Sequence, residues 1–219
     1  ITGTNGKTTT AFLLESIFRA AGIPTGLFGT IEYRWAGQTK TASNTTPESL
    51  DLLTYFAQLV ESGGEAAVME ASSHALAQER LWGFPFRAAV FTNLTRDHLD
   101  YHHDFESYFA AKRRLFDGLG APPPELAVLN ADDPWSAKLL DAPNRRRITY
   151  GMNGSAQVKP LKFVQGLSGL EATLTAPEIT LEIKSPLVGR ANLSNILAAV
   201  ATGLGLGIPA ERIAEGIAA

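Results

Sequence analysis

The sequence predicts an α/β fold, a mostly parallel sheet flanked by helices with a small antiparallel extension toward its C-terminal part. Three observations carry this. Continuous apolar runs at residues 66–69, 88–91 and 126–129 are separated by helix-patterned stretches, the pattern of buried parallel strands joined by crossover helices. A glycine-rich loop, Gly3-Thr4-Asn5-Gly6-Lys7-Thr8-Thr9, opens directly into a helix-like run. Short alternating segments at residues 170–174 and 179–183 surround a Pro-containing turn, as antiparallel strands do.

Taken in order, the first helix runs from the loop to about residue 21, with Gly22 placed to end it and Pro24 beyond. Residues 25–33 read as a strand. Asn44-Thr45-Thr46-Pro47 reads as a turn that starts a helix, with Thr46 as cap and Pro47 as first residue. Leu50, Leu53, Phe56, Ala57 and Val60 form its apolar face, and Gly63-Gly64 stops it. Further on, Phe105, Phe109, Lys112 and Phe116 share one helix face, while Arg113 and Arg114 point elsewhere. Asp133 as cap and Pro134 as first residue start another helix. Residues 147–187 carry the antiparallel texture, and helices at 192–206 and 209–217 close the chain. No linker is evident, so residues 1–219 read as one domain.

Composition narrows the possibilities. At 219 residues the chain can bury a substantial core. Its net charge of −3 argues against a nucleic-acid surface, so phosphate recognition must be local. Cys is absent, which excludes disulfide and thiolate chemistry and fits a reducing, cytoplasmic setting. No apolar run approaches the length of a membrane span.

The glycine loop is the strongest chemical signal. Its backbone N–H groups can curl around an anion at a positive helix end, which places the chain with the P-loop NTPase-like folds. Gly3, Thr4, Asn5, Gly6, Lys7, Thr8 and Thr9 would cradle ATP phosphates, with Lys7 on the outer phosphates and the Thr8 hydroxyl on Mg2+. The full pattern wants a further glycine where Ile1 stands. A phosphate loop also follows a buried strand, and almost nothing precedes this one, so the chain reads as a fragment whose first strand is largely absent.

Polar residues follow each apolar run: Glu70, then Thr92 and Asn93, then Asn130. In an open parallel sheet, ligands bind beyond the strands' carboxyl ends. Glu70 stands where a second acidic residue would hold magnesium. His98, beside Asp97, either satisfies a turn or binds metal. Lys112 lies on an apolar stripe. Periodicity alone favours a lysine that snorkels to water. A buried amine would instead be pushed neutral, able to take up carbon dioxide as a metal-binding carbamate. Asn130 and Asp132 are free to face a base or ribose.

Together these segments resemble the Mur ligases, ATP-dependent amide-forming enzymes of peptidoglycan synthesis. The likeness is carried by the loop in the form G-T-N-G-K-T-T and by Asn44-Thr45-Thr46-Pro47. It continues through Glu70-Ala71-Ser72-Ser73-His74-Ala75-Leu76 with Gln78 and Arg80, through residues 92–102, and through Ala110-Ala111-Lys112-Arg113-Arg114-Leu115-Phe116. It covers nearly the whole chain and is nearest to the branch that adds the third residue to UDP-N-acetylmuramoyl-L-Ala-D-Glu. The family form of the loop has no glycine at position 1. The resemblance implies that Lys7, His98 and a carbamylated Lys112 are catalytic, and that Thr8, Glu70, His98 and Lys112 hold Mg2+. It further implies that Asn44, Thr45, Thr46, Ser72, Gln78 and Arg80 contact the muramoyl peptide. Asn130, with Asn192 and Asn195, would approach the adenine. It implies an acyl-phosphate mechanism, with diaminopimelate or lysine as the amine. The chain would be a central ATPase domain, its UDP-binding and amino-acid-binding neighbours lying outside it.

Competing readings are a sibling Mur ligase, a folylpolyglutamate synthetase, a P-loop kinase acting on a hydroxyl, and a non-catalytic nucleotide-binding module. Thr8-Thr9 and Ser72-Ser73-His74 point away from the folate enzymes. A kinase needs no carbamylated lysine. Intact Lys7, Thr8 and Glu70 argue against a non-catalytic module.

Overall fold

A computed structural model describes all residues 1–219. The glycine loop leads into α1 (Lys7–Ala20), followed by β1 (Thr25–Phe28), β2 (Glu32–Trp35), β3 (Gln38–Thr41), α2 (Ser49–Glu61), β4 (Ala66–Met69) and α3 (Ser73–Ala77). Then come β5 (Ala88–Phe91), α4 (Leu99–His102), α5 (Phe105–Asp117), β6 (Leu126–Asn130), a 3₁₀ turn (Pro134–Leu139) and β7 (Arg146–Tyr150). The antiparallel strands β8 (Lys159–Gly166), β9 (Gly169–Ala176) and β10 (Ile179–Ser185) precede α6 (Arg190–Gly205) and α7 (Ala210–Ala218).

The main sheet has two sections, ordered β3-β2-β1-β4 and β5-β6-β7. Residues 1–2 lie between them. Ile1 N donates to Met69 O at 2.8 Å and Ala71 N to Ile1 O at 2.8 Å. On the other side Thr2 N donates to Val90 O and Thr92 N to Thr2 O, in parallel register with Phe91. The position the phosphate loop requires for its leading strand is therefore filled by these two residues. β1, β4, β5, β6 and β7 run parallel, whereas β2 and β3 form an antiparallel ribbon on one edge.

Alternation along the strands divides the interior into two cores, because successive side chains point to opposite faces. Leu27, Val68, Val90 and Val128 pack with α1, α6, α7 and the β8–β10 sheet. Phe28, Met69, Phe91 and Leu129 pack with α2 and α5.

Four local expectations are corrected. The strand expected over residues 25–33 is broken by a turn at Gly29-Thr30-Ile31, because Thr30 N turns aside to bond Glu70 Oε1 at 2.8 Å. The helix after Pro47 begins at Ser49, with Glu48 at its cap. Thr46 does not cap it, because its hydroxyl is spent on Glu70 O at 2.7 Å. That helix also buries the opposite face: Leu52, Tyr55 and Leu59 are buried, while Leu50 is 78% and Val60 70% exposed. Tyr55 decides the rotation by stacking on Phe28 and Trp35. Lastly, residues 146–150 extend the parallel sheet beside β6 rather than joining the antiparallel extension.

Candidate nucleotide and metal site

Every parallel strand ends on the same edge, and the expected polar residues gather there. The loop is shaped by its own backbone. Gly6 caps α1 at φ 87 with no side-chain help, and a Cβ on it would sit 2.2 Å from Asn195 Oδ1. The loop is also fastened to the end of β5. Thr4 N donates to Asn93 O at 2.8 Å, Asn5 N to Asn93 Oδ1 at 2.9 Å, and Thr92 Oγ1 to Asn5 O at 2.7 Å. Thr92 and Asn93 thus act as braces of the cradle, which strand pattern alone could not assign.

Lys7 folds into the cradle, donating to Gly3 O at 3.0 Å and Thr4 O at 2.9 Å. Burial holds its amine below the usual lysine range, partly opposed by the negative charge of Glu70. Glu70 is fully buried and forms no salt bridge within the chain. Its carboxylate accepts from Thr8 Oγ1 at 3.0 Å, Thr30 Oγ1 at 3.1 Å and Thr30 N at 2.8 Å. A buried carboxylate beside a hydroxyl is a hard-oxygen donor set suited to magnesium. No group of three or more His, Cys, Asp or Glu is gathered to hold a metal. Magnesium does not need one, since it keeps waters and takes phosphate oxygens as ligands. The residues present therefore fit the ion.

Lys112 does not snorkel. It is 1% exposed, and its Nζ donates to Gly3 O at 2.9 Å, the carbonyl that Lys7 also uses. Two amines 105 positions apart in the chain thus meet on one oxygen. Burial, then the charge of Lys7, hold the Lys112 amine well below its ordinary value. His98 stands in a left-handed conformation at φ 51, with Nε2 3.3 Å from Asp97 Oδ2. The imidazole is half-exposed at this edge, and the His98 backbone N donates to Asp97 Oδ1 at 2.9 Å.

The six residues expected at the muramoyl peptide form one connected patch. Asn44 N donates to the Tyr33 hydroxyl, Thr45 Oγ1 lies 3.2 Å from Thr30 Oγ1, and Ser72 N donates to Thr46 Oγ1 at 3.0 Å. Arg80 reaches Thr46 O at 3.1 Å and Gln78 Oε1 at 2.7 Å. Asn130 is differently employed. Its Nδ2 donates to Thr92 O and its Oδ1 accepts from Asp132 N. These bonds fix the amide at the end of β6 and leave one N–H and one oxygen lone pair over. Asp132, expected to be free, instead accepts from Met152 N and Asn153 N, closing the loop after β7. Asn195 does approach the cradle at Gly6, with Asn192 accepting from its amide at 3.3 Å.

An open α/β sheet with a glycine-rich loop, a buried carboxylate and two converging amines at its carboxyl edge defines a P-loop NTPase-like fold. More narrowly, the chain belongs to the Mur ligase family: the model of the Mur ligase middle domain matches residues 1–203. Among curated proteins, a "UDP-N-acetylmuramoyl-L-alanyl-D-glutamate--2,6-diaminopimelate ligase" of Solibacter usitatus is 53% identical over 218 residues, covering 100% of this chain and 44% of that protein. A ligase of the same description from Geobacter sulfurreducens is 49% identical, over 99% of this chain and 43% of its own length. A solved structure of a ligase so described superposes with a TM-score of 0.87 at 29% identity, over 98% of this chain and 44% of that one. MurF from Acinetobacter baumannii shares the fold at a TM-score of 0.73 and 21% identity, over 98% of this chain and 44% of that one. The chain thus spans less than half the length of these relatives. No helix is long and apolar enough to cross a membrane.

Proposed function

We propose that this chain is the central ATP-binding domain of an ATP-dependent ligase that adds diaminopimelate to UDP-N-acetylmuramoyl-L-Ala-D-Glu in the cytoplasm, flanked in its polypeptide by domains for the uridine nucleotide and the amino acid. The observation that carries it is the second buried amine. A kinase requires Lys7 but has no use for Lys112 on the same carbonyl. The choice of diaminopimelate over lysine is supported by the names of the relatives.

In this reading a substrate carboxylate attacks the γ-phosphate of ATP, giving an acyl phosphate and ADP, and the incoming amine displaces phosphate to form the amide. The first step brings like charges together, so cations must carry it. Bound Mg2+ would neutralise phosphate charge. Thr8 and Glu70 would hold one ion, and His98 with Lys112 a second. Lys7 would turn from the loop carbonyls to the outer phosphates. Neutral Lys112 would combine with carbon dioxide, releasing one proton and becoming an anionic carbamate. That change would set an anion beside the Lys7 ammonium. Asn44, Thr45, Thr46, Ser72, Gln78 and Arg80 would seat the muramoyl peptide, while Asn192 and Asn195 bound the adenine side.

The test is phosphate release by the complete polypeptide. Release should require ATP, the muramoyl dipeptide and diaminopimelate together; release with lysine would change the amine, and release only with a reduced folate and glutamate would overturn the substrate. Lys112→Ala should lower turnover by about 100-fold or more, with partial rescue by acetate. Wild-type turnover in that variant without added acid would remove the carbamate.

A further inference from the structure

Tyr108 lies in α5, one helical turn before Lys112, and is fully buried. Helical neighbours four apart share a face, and this pair does so in a specific way. The Lys112 Nζ stands over the Tyr108 ring, 4.4 Å from its centroid. The His98 ring meets the same ring edge-on, with centroids 6.1 Å apart and planes at 80°. His102 packs against it at 5.1 Å. The Tyr108 hydroxyl reaches outward and shares a hydrogen bond with Thr4 Oγ1 at 3.2 Å. Thr4 Oγ1 also accepts from Thr95 N at 2.9 Å, on the loop that carries His98.

A core tyrosine needs only apolar neighbours and one partner for its hydroxyl. This one touches the phosphate loop through its oxygen, and through its ring both side chains assigned to the second metal. We propose that Tyr108 is a positioning residue with two separable duties. Its ring is the shelf that sets Lys112 against His98, and its hydroxyl holds Thr4 so that the phosphate cradle stays in register with that shelf. The proposal rests on the nucleotide and metal roles inferred above, because it names the residue that keeps those two half-sites aligned.

The duties can be read apart on the complete polypeptide. The probes are ADP, followed by calorimetry, and Mn2+ in saturating ADP, followed by electron paramagnetic resonance. Wild type should bind ADP and two Mn2+ ions, of which His98→Ala removes the second. Tyr108→Phe keeps the ring and loses the hydroxyl. It should weaken ADP by about fivefold while leaving the second Mn2+ affinity within about twofold. Tyr108→Leu loses the ring and should weaken the second Mn2+ by about tenfold or more. A purely structural tyrosine would instead move both affinities in step with melting temperature. Parallel losses in Tyr108→Phe, unchanged ADP affinity in that variant, or an intact second Mn2+ site in Tyr108→Leu would each overturn the assignment. Should Tyr108→Leu fail to fold, the split required of Tyr108→Phe still decides. If wild type binds no ADP, or one Mn2+ only, the failure lies in the underlying nucleotide and metal reading, and the role of Tyr108 falls with it.

Discussion

Gly6 shows how one residue can tie backbone conformation to binding. It holds φ at 87, where a side chain is strained by about 1–2 kcal/mol. A methyl group there would also press on Asn195 Oδ1 from α6. Gly6→Ala should therefore keep the helices, as read by circular dichroism, and weaken ADP by about tenfold in calorimetry; unchanged affinity would detach the cradle from the nucleotide. The motif around Gly6 was legible in the sequence because its spacing is local. The role of Thr30 was not. It sits in an unremarkable turn, and only its bonds to Glu70 reveal that it braces the carboxylate. Nor could Lys112 be decided from its position on a helix face, since a long stem can pack while its amine reaches water. The depth of the surrounding core removed that exit.

At the scale of elements, α5 and α2 make a contrast. Phe109, Lys112 and Phe116 are buried as their periodicity requires, and Arg113 and Arg114 leave for Asp117 and Glu79. In α2 apolar residues occur on two faces, so periodicity offers two solutions and a distant aromatic cluster selects one. The short helix α4 has no such pattern. It is held by its neighbours: His102 packs beside His74 and Tyr108, with Nε2 buried and unpartnered. Burial, then the charges of His74 and Lys112, lower the His102 pKa from 6.5 to about 4. The folded imidazole therefore stays neutral where the unfolded one takes a proton. Stability should be lost as pH falls from about 6.5 to about 4, because the unfolded chain binds more protons across that window. His102→Phe keeps the ring and should flatten that part of a urea-unfolding series; an unchanged slope would place the titration elsewhere.

For the whole molecule, two cores share one sheet, and α1 joins the site to the core that contains α6 and α7. Its far end is packed so closely that a Cβ on Gly216 of α7 would fall 2.4 Å from Ile17 Cα. Gly216→Val should lower the unfolding free energy by about 1–3 kcal/mol, measured in denaturant; no loss would mean that α7 can lift away freely. The sequence by itself determined the long helices, three of the parallel strands, the phosphate loop, and the row of polar residues at strand ends. Each depends on spacing within a dozen residues or on a motif that spacing defines. The tertiary structure alone decided that residues 1–2 join the two sheet sections, that Glu70 meets Thr8 and Thr30, and that Lys7 and Lys112 converge on Gly3 O. Those meetings depend on strand order and helix rotation. Both are set by the packing of side chains far apart in the chain, which no local pattern encodes.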